Sequence, residues 1–221
     1  LLVPMRDLDD KLWSLQRIYP DGKKLFLKDG RSSGLMHTLG DTTPTRIIAE
    51  GFSTGASIHE ATGHCVHIAF NCHNLKTVAE SIRKAHPDTD LVIASDDDWK
   101  TEGNPGISKG ADAARSVKAK LAIPTWPENQ RGEKDTDFND LALSQGQAHV
   151  KTCIGRAAPP AEEKMPTEDR QAVLNRLSEL DQIEYDQIRK TEAKKLGIRA
   201  TILDNEMAKL RGQKAAQETL F

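Results

Sequence analysis

Two short apolar runs in this chain end abruptly in acid. The first is Arg46-Ile-Ile-Ala-Glu50-Gly51 and the second is Leu91-Val-Ile-Ala-Ser-Asp96-Asp97-Asp98. Carboxylates crowded into one place repel one another strongly unless a cation neutralises them. Their hard oxygens favour Mg²⁺ or Mn²⁺ over zinc or copper. Alternate residues of an extended segment point the same way, so Asp96 and Asp98 can share one metal while Asp97 faces elsewhere. Glu50, arriving from a neighbouring strand, can complete that shell or act as a base. Gly51 lets the backbone approach a nucleotide closely. The chemistry that suits this set is a divalent-metal site that handles phosphate.

Such acids need a scaffold that ends two strands side by side. Aliphatic and β-branched runs without polar alternation read as strands buried on both faces, hence a parallel sheet. Open α/β sheets place their ligands just past the carboxyl ends of such strands. Residues 45–154 carry the alternation that this requires. Strands are expected at 47–49, 65–70 and 91–94, with an edge strand at 121–124 that tolerates Pro124. Helices are expected at 53–61, capped by Ser53 or Thr54, at 75–85, stopped by Pro87, and at 110–120. Right-handed crossovers then give a parallel, Rossmann-like sheet of class α/β.

The flanks read differently. Residues 1–44 form a β-rich lead-in, with strand candidates at 1–3, 12–19 and 24–27 separated by Asp9-Asp10 and by Pro20-Asp21-Gly22. Residues 155–167 are a linker by composition, and residues 168–221 a helical unit with segments near 168–179, 182–195 and 200–211. Leu174, Leu177, Leu180, Ile183, Ile188, Leu196, Ile202, Leu203, Met207 and Leu210 are expected to supply its core or a docking face. The chain opens on Leu1 inside an apolar run, which reads as part of something longer.

The 221 residues are 37% apolar and 29% charged, the balance of a globular protein. A net charge of −2 excludes a uniformly basic nucleic-acid binder but permits local basic patches. No apolar stretch is long enough for a membrane span, and no secretory leader is visible. Three cysteines without a C-x-x-C pair argue for reduced thiols in a cytoplasmic protein and against a zinc ribbon.

The order Glu50-Gly51 then Asp96-x-Asp98, inside a βαβαβ unit, resembles the Toprim domain of bacterial-type primases, topoisomerases and some nucleases. Further matches narrow the resemblance to phage and plasmid DNA primases of the TraC-like kind. They are Val3-Pro-Met-Arg-Asp, Trp13-Ser-Leu-Gln-Arg-Ile, Asp21-Gly-Lys-Lys and Asp137-Phe-Asn-Asp140-Leu. The resemblance implies a nucleotidyltransferase, a primase making RNA primers from ribonucleoside triphosphates on single-stranded DNA with Mg²⁺ or Mn²⁺. It implies Asp96 and Asp98 as metal ligands and catalytic residues with Glu50, and Asp137 and Asp140, on a turn, in support. It also implies a helicase as partner, since in such proteins this unit commonly sits between a zinc finger and a helicase. Two alternatives use the same fold. One is a Toprim nuclease or topoisomerase, although neither Tyr19 nor Tyr185 has a convincing nucleophile context. The other is a non-catalytic module that binds nucleic acid or a partner.

Weaker signals complete the reading. Lys23, Lys24, Lys28 and Arg31 are candidates for phosphate contacts, against a solvated surface. The loop Glu102–Gly110 can cradle an anion, with Lys109 supplying charge. His59, His64, Cys65, His67, Cys72 and His73 crowd together, but their spacing fits no zinc pattern, and Cys65 and His67 alternate on a strand that the sheet should bury. Ala193, Gly197 and Leu203 have helix-turn-helix spacing, yet Asp204, Asn205 and Glu206 make a connector the better reading.

Overall fold

The computed structural model describes residues 1–161 and 170–218 of the chain. They divide into one unit over Leu1–Pro160 and a second over Ala161–Phe221. No described helix is long and apolar enough to cross a membrane.

The first unit opens with β1 (Leu2–Arg6), β2 (Leu12–Ile18) and β3 (Lys24–Phe26), an antiparallel meander as the turn chemistry predicts. A fourth strand, β4 (His37–Leu39), lies within the expected lead-in but leaves it to pair antiparallel with β6 (Cys65–Ile68). Three residues are too few to show a period, so this strand carries no sequence signal. Nor does the meander have a separate interior. Val3, Met5 and Leu35 share one core with Ile47, Val66 and Val92.

The main sheet adds β5 (Thr45–Ala49), β7 (Asp90–Ala94) and β8 (Lys120–Ala122), in the order β4-β6-β5-β7-β8. Its last four strands are parallel. Period-2 alternation sends Ile47, Ala49, Val92 and Ala94 to one face and Ile48, Leu91 and Ile93 to the other. The first face is covered by α1 (Phe52–Thr62), α4 (Phe138–Gln145) and α5 (Gln147–Gly155). The second is covered by α2 (Cys72–Ala85) and α3 (Pro105–Ser116).

Three expectations need correction. Neither Ser53 nor Thr54 caps α1, whose N-cap is Gly51 without a side-chain bond. α3 begins at Pro105 rather than near 110, because Asn104 caps it and a proline suits the first helical position. Asp137 and Asp140 lie at the start of α4 rather than on a turn. α4 and α5 themselves were not foreseen. The signal for α4 was an Asp-x-x-Asp capping box, whose acids also suit metal chemistry, while α5 follows Gly146 without a side-chain cap. The expected linker is partly structured, since Ala158 exchanges backbone bonds with Leu121 at 2.8 and 3.2 Å. Residues 162–169, including the first positions of the expected tail helix, lie outside the described residues.

The second unit packs α6 (Arg170–Ser178), α7 (Gln182–Lys195) and α8 (Ala200–Glu218) around Leu174, Leu177, Tyr185, Ala193, Leu203 and Met207. Of the apolar residues expected in its core or in a docking face, Ile183 and Ile202 lie outside this core, 71% and 39% exposed. Tyr185 takes a core place instead and donates its hydroxyl to Asp204 at 2.9 Å. Gly197 forms the turn between α7 and α8 at φ +64°, a backbone angle that glycine tolerates best.

One side chain fastens the lead-in to the main sheet. Asn74 is buried at the start of α2, and its amide donates to the carbonyls of Leu35 (2.9 Å) and Ala69 (2.8 Å). Its oxygen accepts from the N–H of Gly34 at 2.8 Å. Asn74→Ala strands these backbone groups and should cost on the order of 2–4 kcal/mol in denaturant unfolding. Asn74→Asp should not restore the loss, because a carboxylate cannot donate to two carbonyls.

Candidate active site

Parallel strands β5 and β7 are neighbours, with Ala49 paired to Ala94. Their carboxyl ends therefore release Glu50 and the Asp96–Asp98 run side by side at one edge of the sheet. The lead-in reaches the site through Lys24, whose Nζ would stand 3.7 Å from a Cβ on Gly51. Gly51 itself has an ordinary negative φ, so its use here is closeness rather than a special backbone angle.

The three aspartates have separate tasks. Asp96 keeps one buried oxygen, Oδ1, without a hydrogen-bond partner. Burial, with the charges of Glu50, Asp137 and Asp98, pushes its carboxyl up to about 8. Asp98 is steadied by the N–H of Gly106, which donates to its Oδ2 at 2.9 Å. Asp97 does face elsewhere. Its carboxylate receives Arg131 Nη1 and Asn104 Nδ2, both at 2.6 Å, and Arg131 Nη2 also donates to its backbone oxygen at 3.0 Å. The guanidinium of Arg131 lies 5.0 Å from the Trp99 ring and 4.6 Å from that of Trp126.

Burial and the Asp98 charge raise the Glu50 carboxyl above its ordinary value. Asp137 lies close enough for its charge to raise both Glu50 and Asp96. Its own oxygens are engaged by Thr54 Oγ1 at 2.8 Å and by the N–H groups of Asn139 and Asp140 at 2.8 and 2.9 Å. Asp140 stands behind it and accepts from the N–H of Thr136 at 2.8 Å, so its place is that of a capping residue. Lys24 is brought to the acids, where its charge opposes the rise at Glu50 and Asp96. Lys23 and Lys28 are exposed, and Arg31 is drawn to Trp13, 4.9 Å from its ring. Lys109 lies on α3, in a groove shared with Cys72. Asn104, Gly106, Arg131 and Thr54 were missed. Arg131 is far from Asp97 in sequence, and nothing local marks the pair.

Among the described residues, no three acid, imidazole or thiolate groups already converge on a single metal position. The donor chemistry nonetheless fits a hard divalent cation. An unpartnered buried carboxylate oxygen sits among three further acids, where only added positive charge relieves the field. Cys65 and Cys153 are buried free thiols, and Cys65 Sγ stands 3.7 Å from His67 Nε2 within the sheet, as the packing reading of that cluster expects.

Two predictions follow from this geometry. Gly106→Ala puts a Cβ against the backbone oxygen of Asp96, which cannot swing aside. It should displace the Asp96–Asp98 loop and weaken Mn²⁺ binding in calorimetry, while far-ultraviolet circular dichroism stays unchanged. Asp96, with its folded value raised to about 8 from 3.8, is protonated in the fold while the unfolded chain ionises. The metal-free protein should therefore lose stability as pH rises from about 4 to about 8. Asp96→Asn should raise the melting temperature in EDTA at pH 8, leave it unchanged near pH 4, and abolish stabilisation by Mn²⁺.

Comparison with known proteins agrees with this architecture. The Toprim domain family matches residues 45–148. Two Escherichia coli proteins described as DNA primase TraC are 40% and 37% identical to the chain over 133 residues, 56% of its length. The chain spans 12% and 9% of the length of these relatives. The fold is shared with the bacteriophage T7 primase domains in a structure bound to an RNA/DNA hybrid and dTTP (TM-score 0.52, 13% identity, 72% of this chain and 78% of that one). It is shared also with a DnaG primase catalytic domain bound to single-stranded DNA (TM-score 0.51, 15% identity, 89% and 68%). Residues 45–148 are thus a Toprim domain, in a chain similar to the TraC primases.

Proposed function

We propose that this chain is the catalytic part of a DNA primase, joining ribonucleotides into short RNA on a single-stranded DNA template. The observation that carries this reading is the set of mutually repelling carboxylates at the carboxyl edge of a Toprim sheet, with Lys24 set over them. The identity with TraC primases supports it. In the reaction a ribose 3′-hydroxyl forms a bond to the α-phosphorus of the incoming triphosphate. The bond to the β-phosphate breaks, and pyrophosphate leaves.

Asp96 and Asp98 would hold Mg²⁺ or Mn²⁺, with Glu50 beside them as ligand or base. A bound cation there supplies neutralisation of the triphosphate and lowers the pKa of the attacking hydroxyl. Asp137, fixed by its capping bonds and by Thr54, keeps a negative wall next to Asp96 and is a further ligand candidate. Asp140 supports Asp137 rather than the cation. Lys24 balances charge on the open side and can meet a phosphate. Lys23, Lys28 and Arg31, on the same lead-in, are template or nucleotide contacts, and a helicase is the partner that the primase reading implies.

The assay is incorporation of labelled ribonucleotides on single-stranded DNA with Mg²⁺ or Mn²⁺. The parent protein should make short RNA, and Asp98→Ala should bring synthesis to background while keeping the melting temperature. Lys24→Ala should reduce synthesis without abolishing Mn²⁺ binding. Nicking of plasmid DNA without nucleotides, and no RNA product, would replace this reading with the nuclease one.

A further inference from the structure

A groove of about 640 Å³ runs between α2 and α3. Cys72, His73 and Lys76 line it from α2, and Lys109, Asp112 and Arg115 from α3. Its α3 wall begins at the acid cluster, where the N–H of Gly106 donates to Asp98 Oδ2 at 2.9 Å. Its α2 wall begins with Cys72, whose thiol is raised by burial and then by the nearby charges of Glu50 and Asp98. Carboxylates thus stand at one end of the groove, and cations line the length beyond it.

Lys76, Lys109 and Arg115 face a single lining acid, Asp112, which Arg115 meets at 3.1 Å. Lys76 is 56% exposed and reaches Glu80 at only 3.9 Å, a surface contact of little strength. Lys109 has no hydrogen bond or ion pair among the described residues. Gathering such cations in a shared concavity raises the local concentration of anions. The groove also has the size to accept several phosphate groups in a row. Along a helix, four residues advance about 6 Å and seven about 10 Å. His73 to Lys76 and Lys109 to Arg115 therefore cover a path several ångströms long, comparable to two or three linked phosphates.

We propose that this groove holds nucleotide phosphates on their way to or from the acid cluster. Such phosphates come from the triphosphate of a ribonucleotide or from the backbone of a single strand. The proposal deepens the phosphoryl-transfer reading and rests on it for the direction of the path. It adds His73, Lys76 and Arg115 to Lys109 as phosphate-binding residues, and places them on the α2–α3 side of the sheet rather than on the lead-in.

The test is equilibrium binding with the Lys76→Gln/Lys109→Gln variant. Both lysines are exposed helical positions where glutamine preserves helix propensity, so the fold should persist, checked by melting temperature. The probes are ATP with Mg²⁺ and a labelled single-stranded oligodeoxynucleotide, each titrated at several salt concentrations. One of them should bind on the order of tenfold more weakly, and for the oligonucleotide the salt slope should fall by about 1.4, about 0.7 for each lysine. Loss confined to ATP assigns the groove to the triphosphate, and loss confined to the oligonucleotide assigns it to the strand. Lys151→Gln, an exposed change on α5, should alter neither. Unchanged binding of both probes, no binding by the parent protein, or an equal loss in the control would overturn the proposal. No synthesis step enters this measurement, so a failure to make RNA and a failure here are separate results.

Discussion

Carboxylates gathered at the end of a parallel sheet are the constraint to which the rest of the first unit answers. Strand pairing brings Glu50 and the Asp96–Asp98 run to one edge, and burial then denies them the water that would screen their charge. Left alone, such a cluster pushes its members apart or into the protonated form. The chain answers with nearby donors and one lysine. Gly106 N–H steadies Asp98, and Thr54 with the first turn of α4 steadies Asp137. Asp96 alone is left with an unanswered buried oxygen. A site that satisfies every acid but one concentrates its demand for positive charge at that one.

The middle aspartate shows how the loop keeps its shape under this repulsion. Asp97 is matched with Arg131, whose other bonds reach the backbone oxygen of Asp135, so two distant loops are tied together. The indole rings of Trp99 and Trp126 lie beside that guanidinium, and Asn104 closes the remaining side of Asp97. Arginine suits this place because a planar fork can bond a carboxylate and carbonyls while stacking on aromatic rings. The clamp fixes the extended course of 96–98, and through it the directions in which Asp96 and Asp98 point. Its position, one residue from each of them, makes Asp97 a positioning residue.

Much of this was readable from residue order. The alternation of Ile47, Ile48 and Ala49 and of Leu91 to Ala94 is a backbone property, so strands buried on both faces announce themselves. The resemblance carried by Glu50, Asp96 and Asp98 then fixed the domain type. Long-range side-chain partners gave no such sign. Arg131 and Thr54 look like ordinary surface and helix residues until folding sets them against Asp97 and Asp137. Starts of helices were misplaced for a related reason. Asn104-Pro105 and Asp137-x-x-Asp140 are capping chemistry, but the same residue types also build loops and metal sites, and only the fold separates these uses.

The lead-in shows why domain limits drawn from composition mislead. Its meander reads as a separate β-rich piece, yet Val3, Met5 and Leu35 fill the core under the main sheet, and β4 extends that sheet. Asn74 fastens the connection through bonds that no apolar substitute can make. The consequence reaches the site, because β3 hangs from the same meander and carries Lys24 over the acids. A lysine on an independent domain would sample many positions and contribute little to a field that depends on ångströms. Carried on a strand paired to the rest of the meander, its charge stays near enough to Glu50 and Asp96 to oppose their rise. The acids therefore owe their balance to packing on the lead-in side as much as to the strands that bear them.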